Sequence, residues 1–115
     1  MTQAAIDATT FEELKATAGG EFVGELVETF LAEAPMMLEE LRTSLAAGDA
    51  ELFRRTAHSL KSNANTFGAT ALAGLARDLE LGGLDPVRAV GGAPLDALEV
   101  EFTRVAQALT DLKHG

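Results

Sequence analysis

Apolar residues recur at helical spacing along almost the whole chain, and this periodicity constrains the fold more than any other feature. From Phe22 to Leu45, and again from Leu95 to Leu112, they fall three or four residues apart, as on one face of a helix. No segment alternates apolar and polar residues as a half-buried strand does. The sequence therefore predicts an all-α protein.

Glycine residues and helix-capping residues divide this pattern into separate helices. Thr10 and Glu13 fit a capping box, so we expect a short first helix to begin with Thr10 as its N-cap. Pro35 lies within a continuous apolar stripe and predicts a kink rather than an end. The breaks between helices fall at Gly19-Gly20, Gly48-Asp49, Gly68 and Gly82-Gly83, with a turn-rich connection over residues 84–93.

The short breaks favour antiparallel neighbouring helices. We therefore expect one domain over residues 1–115, an up-and-down antiparallel four-helix bundle with a short additional N-terminal helix. All six phenylalanines lie on the apolar stripes and are expected in the core. The length and the start at Met1 favour a complete protein.

The composition narrows the classes of function. Nine basic residues against 18 acidic ones give a net charge of −9, which disfavours binding to nucleic acid or to an anionic membrane. There is no cysteine and no apolar run of membrane-spanning length. The N-terminus lacks the basic start and apolar block of a signal peptide. These features favour a cytoplasmic protein.

The segment "AHSLKSNANTFGA", Ala57 to Ala69, places a histidine on an otherwise regular amphipathic helix. With roughly 100° per residue, Phe53, Ala57, Leu60, Ala64 and Phe67 form one buried seam. His58 lies on a separate arc with Arg54, Lys61, Ser62 and Asn65, centred roughly 130° from the seam. The imidazole should therefore project from the surface, and the short Ser62 and Asn65 side chains leave room for another protein.

Several kinds of chemistry lack the residues they require. The only other histidine is His114, so a metal site has no support. There is no GxSxG turn for a nucleophilic serine and no Gly-rich loop for ATP. A solvent-exposed histidine without a chemical role fits the same helical wheel. A nucleophilic imidazole beside the cation of Lys61, which would stabilise an incoming phosphoryl group, also fits it.

The segment around His58 resembles the signature of histidine-containing phosphotransfer (Hpt) domains, Ala-His-x-Leu-Lys followed by small residues and Gly-Ala. The preceding "FLAEAPMMLEELRTSLAAGDAELFRRTAHSLK" and the following "LAGLARDLE" are also similar to the family. Together these segments cover about two thirds of the chain. Ser62 stands where the family most often has glycine, a small-for-small difference.

The resemblance implies a role for each residue of this site. His58 would accept a phosphoryl group on Nε2, Lys61 would flank that group, and Glu80 would hold the Nδ1–H of the imidazole. Gly68 matches the glycine that closes the helix. Apart from the resemblance, Arg54 and Arg55 lie one turn or less before His58, and we expect them to help dock an acidic receiver face. Each of these residues also has an interpretation without a chemical role. Gly68 would then only cap its helix, and the charged side chains would only be solvated, as at Lys61, Glu80, Arg54 and Arg55.

The implied function is that of a phosphorelay intermediate. It would exchange phosphoryl groups with aspartates of response-regulator receiver domains, and the expected partners are such receiver domains and a hybrid histidine kinase. The receiver would supply Mg²⁺, so no cofactor is expected on this chain, and a monomer is the family's usual state. The alternatives are a module that binds a receiver or a kinase without accepting phosphate, and an enzyme with His58 as general base.

Overall fold

The structure, a computed structural model, describes residues 5–114, with side chains to residue 112. Nearly all of these residues are helical and none is in a strand, so the predicted all-α class is confirmed. The helices are α1 (Ala8–Ala18), α2 (Gly20–Ala47), α3 (Ala50–Thr66), α4 (Thr70–Gly82), α5 (Leu84–Ala89) and α6 (Ala93–His114).

Four helices share one core. Helix α2 packs against α3 and α6, and α4 packs against the same two helices from the other side. The fully buried side chains come from all four, and each large aliphatic one contributes about 2 kcal/mol through removal from water. The largest of them are Phe53, Leu41, Leu60, Leu72, Leu95, Leu98 and Leu109. No helix in the described part of the chain has the length and apolar character needed to cross a bilayer.

The first helix begins earlier than predicted. Helix α1 starts at Ala8 with Asp7 in the N-cap position, so the prediction of Thr10 as N-cap was wrong. The Thr10 hydroxyl instead donates to the Asp7 carboxylate at 2.6 Å. A backbone bond from the Asp7 amide to the Gly68 carbonyl, 2.8 Å long, fixes this end against the turn between α3 and α4. The sequence pattern could not reveal this long-range bond.

Gly68 has two reasons to be glycine. Its φ of +78° is in the left-handed region, as expected for the residue that follows a helix C-cap. In addition, a Cβ at this position would lie 2.8 Å from Cβ of Thr10 and 3.1 Å from the Asp7 carbonyl oxygen. The capping role predicted from the sequence is confirmed, and the close approach of the N-terminal segment is a second constraint.

Two further expectations need correction. Residues 84–93 contain the short helix α5 rather than only turns, because Leu84 and Val87 are buried and anchor it to the core. Phe22 is 51% exposed and lies outside the core, since it falls at the edge of the apolar stripe in the first turn of α2.

Two predicted features of the helix ends are present. Helix α2 does not end at Pro35 but continues through it, and Asp49 caps α3 by accepting from the Leu52 amide.

Candidate functional site

The buried seam of α3 determines which side chains this helix presents to solvent. Phe53, Ala57, Leu60, Ala64 and Phe67 are all buried, as the spacing predicted. His58 directly follows the seam residue Ala57 in sequence, so it points away from the core, and 57% of its side chain is exposed. The helical wheel therefore placed the imidazole correctly at the margin of the core.

Helix α4 brings Glu80 to this imidazole. The connection between α3 and α4 is only three residues long, so α4 returns alongside α3. The buried Ala76 and Leu79 orient α4, and Glu80 lies at the edge of their face with 14% of its side chain exposed. Its Oε2 lies 2.7 Å from Nδ1 of His58. Residues 22 positions apart in sequence thus form one pair.

The pairing determines which imidazole nitrogen is available. An ionised carboxylate can only accept a hydrogen bond, so the neutral imidazole carries its proton on Nδ1 and donates it to Glu80. The Nε2 atom then keeps its lone pair and belongs to the exposed side chain. This arrangement suits attack on an electrophile from solvent or from a partner protein.

Lys61 binds the other oxygen of the same carboxylate. Its Nζ donates to Oε1 of Glu80 at 2.8 Å, and the lysine side chain is 23% exposed. The pKa of Glu80 is lowered, first by this hydrogen bond and then by the one with His58, while burial opposes the shift. An ammonium group has three N–H donors, so Lys61 can hold Glu80 and still offer donors to an anion beside His58.

The other predicted site residues lie around this centre without bonding to it. Arg54 and Arg55 precede His58 by about one turn, while Ser62 and Asn65 follow it, and all four are exposed. Arg77 was not singled out from the sequence. It lies three residues before Glu80 on α4, which places it on the same side of that helix.

Arg54 and Arg55 on α3 and Arg77 on α4 are exposed cations in a chain whose net charge is −9. Within residues 5–112, Arg54, Arg55 and Arg77 make no ion pair. Their guanidinium groups are therefore free to meet acidic groups of another protein. The same part of the chain contains no cluster of three histidine, aspartate or glutamate side chains able to hold a metal ion.

Both the sequence and the fold of this chain are similar to those of known proteins. The family model described as Hpt domain matches residues 25–115. A crystal structure of histidine-containing phosphotransfer protein B (HptB) from Pseudomonas aeruginosa PAO1 is similar, with a TM-score of 0.83 and 27% sequence identity. The similarity covers 98% of this chain and 97% of the other. A search of curated proteins found no significant match.

Proposed function

This chain belongs to the Hpt domain family, and from that premise we propose that His58 is the residue that carries the phosphoryl group. Hpt domains act in two-component signalling as phosphocarriers rather than as enzymes that turn over a small substrate. We infer that the chain takes its phosphoryl group from an aspartate of one receiver domain. It then passes the group to an aspartate of another receiver.

The hydrogen bond between His58 and Glu80 is the observation that carries this proposal. The Nε2 lone pair attacks the phosphorus of an aspartyl phosphate, a P–N bond forms, and the P–O bond to the aspartate breaks. The aspartate leaves as a carboxylate, and the imidazole keeps its proton on Nδ1. The ring then bears positive charge, which the Glu80 carboxylate 2.7 Å away stabilises. Return of the phosphoryl group to a carboxylate reverses these steps.

Lys61 stabilises the charge of the phosphoryl group in this proposal. It already lies beside Glu80, one turn beyond His58, and a phosphoryl group on Nε2 would bring anionic oxygens to the same surface. Transfer of this kind depends mainly on positioning and on electrostatic stabilisation. A fixed cation at the edge of the site supplies both without any rearrangement of the helices.

The surface around His58 fits a receiver domain. The proposed partner brings an acidic pocket with Mg²⁺, so that the metal belongs to the receiver and not to this chain. Arg54 and Arg55 attract the rim of that pocket, and Arg77 does the same from α4. Ser62 and Asn65 are short and exposed, which lets the partner backbone approach. A hybrid histidine kinase is the proposed origin of the phosphoryl group.

The remaining inferences concern the state of the protein. We infer that α2, α3, α4 and α6 run up and down as an antiparallel bundle, supported by the two-residue and three-residue connections that flank α3. We also infer a single domain that works as a cytoplasmic monomer. Exposure of His58 in one chain supports the monomer, because no second copy is needed to complete the site.

Transfer from purified phosphorylated receiver domains tests the function. Wild-type protein should acquire an acid-labile, base-stable label that a second receiver removes, and His58→Gln should acquire none. A module that only binds would behave differently. It would capture receivers equally well in both forms, and neither form would be labelled.

A further inference from the structure

Ser62 lies one helical turn after His58 on the exposed face of α3. Residues four apart on an α-helix are neighbours, with about 5–6 Å between their Cβ atoms, and both of these side chains are exposed. Side chains on a helix lean toward its N-terminus, so the hydroxymethyl group of Ser62 is inclined toward His58. The hydroxyl therefore belongs to the surface that presents the imidazole.

The side-chain hydroxyl of Ser62 has no hydrogen-bond partner within residues 5–112. Hydroxyl groups elsewhere in the helices are used locally, because they donate to a backbone carbonyl three or four residues earlier. Five side chains do so, namely Thr43, Ser44, Thr66, Thr103 and Thr110. The corresponding bond from Ser62 to the carbonyl oxygen of His58 is not formed. Its O–H group can therefore donate to a group that arrives from outside the chain.

A phosphoryl group on Nε2 of His58 would lie near two donors from the next turn of α3. Glu80 occupies the Nδ1 side of the ring at 2.7 Å, so the phosphoryl group takes the other, exposed edge. Lys61 and Ser62, three and four residues later, are both neighbours of His58 on the helix surface. Lys61 shares its ammonium group with Glu80, whereas Ser62 has its O–H group uncommitted. A phosphoryl group has three strong acceptor oxygens, enough for both donors.

We propose that the hydroxyl of Ser62 binds the transferred phosphoryl group, by donating a hydrogen bond to one of its terminal oxygens. The inference rests on the proposed phosphoryl transfer at His58. The hydroxyl keeps its proton and is not a nucleophile, while the P–O bond to the receiver aspartate breaks and the P–N bond to Nε2 forms. Hydrogen bonds to ionised oxygens are roughly twice as strong as those between neutral groups. The family most often has glycine here, so this donor distinguishes the chain from most Hpt domains.

Two substitutions at position 62 separate the hydroxyl from the space that the side chain occupies. Ser62→Ala removes only the oxygen, and Ser62→Gly removes Cβ as well. With a saturating phosphorylated receiver under single-turnover conditions, both should accept the phosphoryl group about tenfold more slowly than wild type. Alanine favours a helix more than serine does, and glycine favours it less. Urea unfolding should therefore rank the two variants on opposite sides of wild type, so helix stability cannot explain a loss of rate that they share.

Ser59→Ala is the matched control for removal of a serine hydroxyl from α3. Ser59 is also exposed and directly follows His58, but it is turned about 100° from His58 around the helix, whereas Ser62 is turned about 40°. Ser59→Ala should keep the rate within about twofold of wild type. The ³¹P signal of the phosphohistidine is a second readout, which does not depend on docking of a receiver. It should move in Ser62→Ala and stay in place in Ser59→Ala.

Several results would overturn the inference. A wild-type rate in Ser62→Ala, with a faster rate in Ser62→Gly, would show that the side chain only narrows the approach to His58. Equal losses in Ser62→Ala and Ser59→Ala would indicate a general effect on α3. If wild type is labelled and Ser62→Ala accepts the label as fast, only the role of Ser62 fails. If wild type is never labelled, the proposed function fails together with this inference.

Discussion

The Nδ1 atom of His58 and the Oε2 atom of Glu80 are 2.7 Å apart, although they belong to different helices. The contact exists because α4 turns back on α3 after three residues and presents Glu80 at the edge of its buried face. It holds the proton of the neutral imidazole on Nδ1 and leaves Nε2 with a free lone pair. The other oxygen of the same carboxylate holds Lys61, so Glu80 organises the whole site.

Removal of the Glu80 carboxylate should slow phosphoryl acceptance without preventing it. Glu80→Gln keeps an oxygen acceptor but loses the charge, so we expect the rate from a saturating phosphorylated receiver to fall about tenfold. Glu80→Ala also loses the acceptor, so its rate of phosphoryl acceptance should fall about 100-fold. Single-turnover measurements give these rates. An alanine variant as fast as wild type would show that Glu80 does not orient the imidazole.

Glu80 should also make folding stability depend on pH in the acidic range. Its pKa is lowered in the folded protein, first by Lys61 and then by His58. The stabilisation is therefore complete above the ordinary value of 4.5 and is lost as the pH falls through the folded-state pKa. Urea unfolding should show wild type more stable than Glu80→Gln at pH 5, with a smaller difference at pH 3. A difference that grows on acidification would contradict this.

The turn between α3 and α4 should not tolerate a side chain at Gly68. Gly68→Ala combines a φ of +78° with a Cβ 2.8 Å from that of Thr10, so we expect a loss of about 1–3 kcal/mol in the free energy of unfolding. Gly74, within α4, is the control because a Cβ there meets nothing within 4 Å. Gly74→Ala should be neutral or up to about 1 kcal/mol stabilising. Equal effects of the two changes would refute the close-approach explanation.

Arg77 should contribute to recognition of the receiver from the α4 side. Arg77→Glu should raise the receiver concentration for half-maximal phosphorylation of His58 by about tenfold and leave the maximal single-turnover rate within about twofold, because it places an acidic group where an acidic rim docks. Arg88→Glu makes the same change in charge on α5, away from His58. It should have little effect on the receiver concentration that phosphorylation requires. A similar rise in the half-maximal receiver concentration for both variants would indicate a general effect of net charge.

Much of the fold follows from sequence because local signals determine it. The seam of α3 was identified from spacing alone, and Gly48, Asp49 and Gly68 mark their helix ends through local backbone preferences. Tertiary contacts changed the outcome elsewhere. The bond between Asp7 and Gly68 moves the start of α1, and burial of Leu84 and Val87 makes a helix of an expected connection.

In the candidate site, too, local sequence signals predicted some features, and tertiary contacts determined the others. The position of His58 on the exposed edge of α3, with Lys61 one turn later, follows from helical periodicity. The pairing with Glu80 was expected from the family resemblance, and the wheel of α4 only allowed it. Arg77 was missed, because its relation to His58 depends on how α3 and α4 align.

The most direct test of the account is to locate the phosphoryl group on the imidazole. Protein labelled by a phosphorylated receiver would be studied by ¹⁵N-histidine NMR, which distinguishes the two ring nitrogens, with His58→Gln in parallel. We predict a single modified histidine, His58, with phosphorus bonded to Nε2 and a proton retained on Nδ1. Phosphorus on Nδ1, or a label that persists in His58→Gln, would contradict the central role of the His58–Glu80 pair.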